Sequence, residues 1–250
     1  MTIKSVIIQC LDLIFPRRLT CYFCEEELPP HNTSALCEHC VDEIVRLDGH
    51  QCMKCGRTIE IAYAQHADYY FKCKECQEKF TFFSKHRSFG EYSGHLKMAI
   101  MGLKYKKQIY QAQFFGEQLA MMIEKDEALL DFDLIVPVPI HLTRRMMRGY
   151  NQAERIAYYL AKTLNANPPE ELLERTRHTK KLKNLNKASR KAMLENAIIV
   201  KRYKKNRVKG QKILLVDDIY TTGATLDACS KALYEAGCDQ INCITVARGV

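Results

Sequence analysis

Along the last two thirds of the chain, apolar positions come in blocks whose period changes from one block to the next. Residues 213–216 (Ile-Leu-Leu-Val), 133–137 and 241–247 are short, nearly continuous apolar runs, as expected of strands buried on both faces. Residues 89–92 make a further short strand, and a fifth lies near residues 197–200. Between them the spacing becomes helical. In residues 151–164 the apolar side chains of Ala153, Ile156, Ala157, Leu160 and Ala161 share one face. Residues 94–103 and 113–125 repeat that pattern on either side of the polar turn Lys104-Tyr-Lys-Lys107, and residues 224–236 repeat it after the run at 213–216. Strands alternating with helices predict an α/β fold with a mainly parallel sheet covered by helices on both faces. Ligands of such sheets bind beyond the C-terminal ends of the strands.

The first third has no such rhythm and is punctuated by cysteine. Eight of the twelve cysteines form four Cys-x-x-Cys pairs, Cys21/Cys24, Cys37/Cys40, Cys52/Cys55 and Cys73/Cys76, all before Thr81. With no export signal in view, disulfides are the poorer reading; paired thiolates suit a bidentate grip on one tetrahedral ion. Two structural four-cysteine zinc sites are therefore expected, because four thiolates close the coordination shell. Short loop closure favours pairing the motifs in sequence, with a cross-braced scheme as the alternative. In Cys52-Met-Lys-Cys55-Gly56, the glycine permits the tight turn that aims backbone N–H groups at sulfur. Cys10, Cys229, Cys238 and Cys243 lack this spacing and are expected to be free thiols, which fits a reducing cytoplasm. The apolar runs Val6-Ile-Ile8 and Leu13-Ile-Phe15 are broken by Gln9 and Asp12, so neither a signal peptide nor a membrane span is expected. The chain divides into two expected domains, 1–85 with the cysteines and 86–250 with the alternating pattern.

Charge divides at the same place. Residues 1–80 hold 9 Lys+Arg against 12 Asp+Glu, while the rest holds 29 against 17, giving +9 in all. Four thiolates around a zinc dication add a net −2 per site, which sharpens the contrast. Residues 175–212 contain fifteen Lys+Arg and a single acid, Glu195, a density not expected of an ordinary salt-bridged surface. Cations interleave with aromatics at Lys104-Tyr105-Lys106, Arg148-Gly149-Tyr150 and Arg202-Tyr203-Lys204, as suits bases stacking while phosphates meet cations.

One strand end carries the chemistry. After residues 213–216 come Asp217 and Asp218, and then Thr221-Thr222-Gly223-Ala224-Thr225 turns into the next helix. Hydroxyls, a permissive glycine and a helix N-terminus make an anion cradle. Carboxylates beside a phosphate would repel it, so they must address hydroxyls or a metal on the same ligand. A sugar phosphate meets both demands.

The run Val216-Asp-Asp-Ile-Tyr-Thr-Thr-Gly-Ala-Thr225 resembles the phosphoribosyl pyrophosphate (PRPP) signature of type I phosphoribosyltransferases. The resemblance implies that Asp217 and Asp218 hold the ribose hydroxyls, as the catalytic pair if a reaction occurs, and that Thr221, Thr222, Gly223, Ala224 and Thr225 bind the 5′-phosphate. The order of four Cys-x-x-Cys pairs, Leu103-Lys-Tyr105, Val136-Pro-Val-Pro139, Arg148-Gly-Tyr-Asn-Gln152 and the PRPP signature is similar to that of the ComF/GntX family of bacterial competence proteins, along nearly the whole chain. It implies a type I phosphoribosyltransferase fold behind a double zinc ribbon, with Val138, Arg144 and Arg148 at the pyrophosphate, Arg145 as a further candidate, and Mg2+ carried with PRPP. The family commonly has Gln and Asn in its flexible loop where this chain has Leu182 and Met193, so PRPP binding is better supported than turnover. The expected role is cytoplasmic DNA uptake in natural transformation. Single-stranded DNA would be met by Lys180, Lys181, Arg202, Lys204 and Lys205, with components of the uptake machinery as partners and no direct membrane insertion. The alternative is an active phosphoribosyltransferase in nucleotide synthesis or salvage.

Overall fold

A computed structural model describes residues 20–21, 23–29, 36–47, 49–59, 72–176 and 197–249. Its strands are β1 (Lys85–Glu91), β2 (Leu134–Pro137), β3 (Leu173–Arg175), β4 (Ile198–Val200), β5 (Lys212–Tyr220) and β6 (Gln240–Arg248). Its helices are α1 (Glu38–Asp42), α2 (Lys74–Glu78), α3 (Gly94–Tyr105), α4 (Gln111–Ile123), α5 (Glu127–Leu130), α6 (Leu142–Arg148), α7 (Gln152–Thr163) and α8 (Ala224–Glu235), with a 3-10 helix over Arg202–Arg207.

The main sheet is parallel throughout, in the order β1-β6-β5-β2. Side chains of β5 alternate between two apolar layers, as a strand of period two must. Leu214 and Val216 join Ile244 and Val246 beneath α4 and α7, while Ile213 and Leu215 join Ile241 and Cys243 beneath α8. Helices thus cover both faces, as the apolar blocks predict.

The elements outrun the apolar runs where polar residues have local uses. β1 begins at Lys85, not at Phe89, because the polar residues Lys85-His-Arg-Ser88 pair with β6 and also bond the cysteine-rich segment. β5 continues past Val216 to Tyr220 through the acidic pair. The basic turn after Pro139 contains a helix, α6, of which no residue is buried. β3 and β4 form a separate antiparallel pair. Lys180 and Lys181, with Arg177, Leu182 and Met193, lie outside the described residues, as do Cys10 and the apolar runs at the N-terminus.

The cysteines assemble in chain order. Cys21, Cys24, Cys37 and Cys40 bring their sulfurs within 4.8 Å of one another, and so do Cys52, Cys55, Cys73 and Cys76. Both groups lie along β1 on the side away from β6. His86 N–H donates to Lys54 O at 2.7 Å, and Glu91 N–H donates to Val45 O at 2.8 Å. Arg46 bridges Gly90 in antiparallel fashion. The edge that β1 would otherwise present to solvent is therefore covered by ribbon backbone.

Candidate functional site

The two sulfur groups have the size that zinc requires. A tetrahedron with Zn–S bonds of about 2.3 Å has S–S edges of about 3.8 Å, and the Cys24–Cys37 and Cys55–Cys73 sulfurs stand 3.5 and 3.7 Å apart. Backbone N–H groups already point at sulfur, from Cys37 to Cys21 Sγ at 3.4 Å and from Cys73 to Cys52 Sγ at 3.2 Å. Such donors stabilise thiolate charge. Gly56 supplies the left-handed turn of the second knuckle at φ +66°. Four thiolates leave no open position, so both sites are structural zinc centres. Cys229, Cys238 and Cys243 are buried free thiols, kept protonated by burial.

The acidic pair sits where β5 has lost one neighbour and kept the other. β2 stops at Pro137, opposite Val216, whereas β6 follows β5 to Tyr220. Beyond Val216 one side of β5 is therefore open, and Asp217 and Asp218 occupy that step. Asp218 is 4% exposed. Its Oδ1 accepts from Lys104 Nζ at 2.8 Å, and its Oδ2 is buried without a hydrogen-bond partner. Asp217 Oδ1 accepts from Asp218 N–H at 2.8 Å. Burial, and then the neighbouring Asp218 carboxylate, push Asp217 up to about 7, against the pull of Lys104 and Arg175. A buried carboxylate oxygen without a donor is costly unless a ligand completes it. Hydroxyls and a hard cation such as Mg2+ both fit that oxygen donor set.

The turn that follows is held from below. Gly223 takes φ +74° as the N-cap of α8, and a Cβ there would stand 2.6 Å from Tyr220 Oη. Only glycine lets the turn lie against that ring. Thr221 and Thr222 are exposed, and Thr222 Oγ1 accepts from Ala224 N–H at 3.4 Å. Ala224 and Thr225 open the helix, whose N-terminal N–H groups and dipole face the same space.

Each residue of Arg148-Gly-Tyr-Asn-Gln152 has a task in the corner between α6 and α7. Gly149 ends α6 in the left-handed region at φ 84°. Tyr150 donates from its buried hydroxyl to Leu103 O. Asn151 caps α7 by accepting from Ala153 N–H at 3.1 Å, and its Nδ2 donates to Val138 O at 3.0 Å. Gln152 Oε1 accepts from Arg148 Nη1 at 2.8 Å, and the Arg148 guanidinium lies 5.1 Å from the Tyr105 ring centre. The motif fixes the loop after β2 beside the acids. Val138 is used at both ends of its peptide, since its N–H also donates to Val216 O at 2.9 Å. Arg144 is exposed. Arg145 makes a bidentate pair with Glu171, both contacts at 2.9 Å, and reaches Glu154 at 3.2 Å. Its guanidinium is thereby committed to structure.

Two features depart from the sequence reading. Lys104, grouped there with base-stacking cations, is instead the partner of Asp218. Nothing in the sequence spacing links residues 104 and 218; the link exists because α3 ends over the C-terminal edge of β5. The basic stretch, not expected to form an ordinary salt-bridged surface, is in part salt-bridged, to acids that lie upstream of it. Lys204 Nζ and Arg207 Nη2 bond Glu170 at 3.3 and 2.5 Å, and Lys201 bonds Glu171 at 3.3 Å. Arg202, Tyr203 and Lys205 remain exposed on the 3-10 helix.

Residues 146–249 match the phosphoribosyl transferase domain family, and residues 10–77 match the double zinc ribbon domain. The molecule is a parallel-sheet α/β protein of the phosphoribosyltransferase kind with an N-terminal double zinc ribbon. Over 218 residues it is 28% identical to competence protein F of Haemophilus influenzae, covering 86% of this chain and 91% of that one. It is 26% identical over 239 residues to competence protein ComFC of Bacillus subtilis, covering 88% and 90%. With the DNA utilization protein YhgH of Escherichia coli K12 it shares 26% identity over 205 residues, covering 81% and 85%. Among the described residues no helix is long and apolar enough to cross a membrane.

Proposed function

We propose that this chain binds PRPP with Mg2+ at the open step of β5 and handles single-stranded DNA in natural transformation, working in the cytoplasm beside the uptake machinery. The observation that carries the PRPP reading is the buried, donorless Oδ2 of Asp218 next to Asp217, one strand end away from a glycine-bearing phosphate turn. Asp217 and Asp218 would orient the ribose through its hydroxyls, and residues 221–225 would take the 5′-phosphate. The loop after Val138, with Arg144 and Arg148, would lie along the pyrophosphate. Mg2+ supplies charge neutralisation on the pyrophosphate. The names of the similar proteins, competence protein and DNA utilization protein, support the nucleic-acid part of the reading. On this chain it rests on Arg202, Tyr203 and Lys205, exposed together with Lys204 nearby. The same site is compatible with pyrophosphate departure, in which the carboxylates would stabilise positive charge developing on the sugar.

Isothermal titration with PRPP and Mg2+, then with single-stranded DNA, tests both halves. Binding of both ligands is expected, with pyrophosphate release across a panel of bases separating a binder from a transferase. Absence of PRPP binding in the zinc-loaded chain overturns the assignment of the acidic pair; absence of DNA binding at low salt overturns the DNA role.

A further inference from the structure

The second zinc centre and the phosphate turn lie at the two ends of one buried stack. Arg248, at the end of β6, is 6% exposed. Its Nη1 donates to Cys55 O at 2.6 Å, and Nη2 lies 3.8 Å from Cys55 Sγ. The guanidinium rests 4.6 Å from the centre of the Tyr220 ring. His86, fully buried, brings its Nδ1 to 3.0 Å from the same Cys55 carbonyl. Its ring stacks on Tyr220 at 4.1 Å, tilted by only 25°. Tyr220 in turn touches the turn at Gly223, where no side chain would fit beside its hydroxyl.

A buried guanidinium requires a counter-charge. No carboxylate among the described residues lies within ion-pair distance of Arg248. Four thiolates and a zinc dication carry a net −2 at Cys55 and its three companions, so the loaded centre is the negative charge that Arg248 faces. Tyr220 is gripped on its π system by that cation and by the His86 ring. Its position fixes the floor of the phosphate turn.

We infer that the second zinc centre is part of the phosphate-binding apparatus: through Arg248 and His86 it holds Tyr220, and Tyr220 preorganises residues 221–225 for a sugar phosphate. Arg248, His86 and Tyr220 are positioning residues, since none need touch the ligand. The ligand half of this inference rests on the PRPP reading; the mechanical half does not.

The experiment therefore has a ligand-free arm and a ligand arm, both on the full-length chain purified with zinc. Amide hydrogen exchange at the bonded amides that brace the turn, Asp227 N–H on Gly223 O and Gly249 N–H on Tyr220 O, is compared in wild type, Arg248→Met, Tyr220→Leu and Tyr220→Phe, with zinc content measured in each. Arg248→Met and Tyr220→Leu are expected to speed exchange in the turn at least tenfold while protection of β5 and α7 is kept, and Tyr220→Phe is expected to restore slow exchange. Titration with ribose 5-phosphate should show a loss of about tenfold or more for the first two variants and within threefold of wild type for Tyr220→Phe. Removing one ligand from each centre adds a comparison: Cys76→Ser should weaken ribose 5-phosphate at least fivefold more than Cys24→Ser. Unchanged exchange in a folded, two-zinc Arg248→Met protein overturns the inference, as does equal weakening by the two cysteine variants. If wild type binds no sugar phosphate while exchange in the turn still responds to Arg248→Met, the PRPP reading fails and the mechanical link stands.

Discussion

The two zinc ribbons have the same four thiolates and the same Cys-x-x-Cys spacing, and both bond the backbone of β1, yet only one of them also enters the apolar core of the α/β domain. The first is sunk into the apolar core. Cys21, Leu28, Leu36, Cys37, Cys40 and Ile44 belong to one continuous cluster with Phe89, Leu96 and the helices over the sheet. The second forms a small cluster of its own, Cys52, Cys55 and Cys73 with Ile59 and Cys76 beside them. Its attachments are polar: Lys54 O to His86 N–H, Cys52 O and Met53 O to Arg87, and Cys55 O to Arg248. Apolar burial is non-directional and contributes mainly to stability, whereas hydrogen bonds fix geometry. Identical metal sites can thus serve stability in one place and alignment in another.

Loss of a ligand should separate them most strongly. Structural zinc contributes about 10–16 kcal/mol to small zinc modules, so Cys37→Ser and Cys52→Ser should each reduce bound zinc from two ions to one. Cys37→Ser should also lower the main thermal transition, because its ribbon shares the core of the α/β domain. With Cys52→Ser the far-UV circular dichroism and main transition should stay close to wild type, as expected if the domains divide near residue 85. Equal losses of the main transition would erase the distinction between the ribbons.

Two glycines sharpen the comparison at the docking surfaces. A Cβ on Gly90 would stand 2.8 Å from Val45 O and 2.9 Å from Leu96 Cδ2. Gly90→Ala should therefore wedge the first ribbon off β1 at a cost of about 1–3 kcal/mol, seen as a lower denaturant midpoint for the whole chain. At Gly56 a Cβ would stand 2.8 Å from His86 O, with the backbone at φ +66°. Gly56→Ala should fall on the second ribbon and register as faster exchange of its own amides, with a smaller change in the global midpoint.

The smallest effect concerns the site that the second ribbon touches and the first does not. Asp217 holds its proton up to about 7 in the fold, against about 3.9 in an unfolded chain. The folded protein therefore binds more protons between those values, and its stability should fall as pH rises from about 4 to about 7, then level off. Asp217→Asn should remove that slope, measured as the difference in denaturant midpoint between pH 5 and pH 8, and should weaken PRPP by more than about tenfold. A variant whose midpoint keeps the wild-type pH slope would contradict the half-buried placement of Asp217 beside Asp218.

How much of this was legible depended on the range of the interaction. Strand blocks such as residues 213–216, the helix face of Ala153, Ile156 and Leu160, and both zinc groups were readable because each is written in local spacing. The acidic pair and the glycine-bearing turn were readable for the same reason. Lys104 beside Asp218, Glu170 beside Arg207 and Arg248 beside Cys55 were not, since such pairs are brought together by the crossing of distant elements. Only the apolar end of β1 is visible in the sequence, because Lys85, His86, Arg87 and Ser88 look like a loop until their ribbon partners are known. The hydrogen bonds of Arg148-Gly-Tyr-Asn-Gln152 gave no signal beyond the motif itself.

The covering of β1 also bears on the order in which the chain is made. At about 5–20 residues per second, β6 leaves the ribosome some 7–30 seconds after β1 is complete. Throughout that interval β1 lacks the strand that flanks it in the finished sheet. The ribbons, synthesised before it, are the one part of the final neighbourhood already available, and their Lys54 and Val45 carbonyls can engage it at once. Zinc supply would then govern the yield of folded protein during translation more than the durability of protein already made. Starving cells of zinc before synthesis, compared with chelating afterwards, would separate the two, with the greater loss of soluble chain expected in the first.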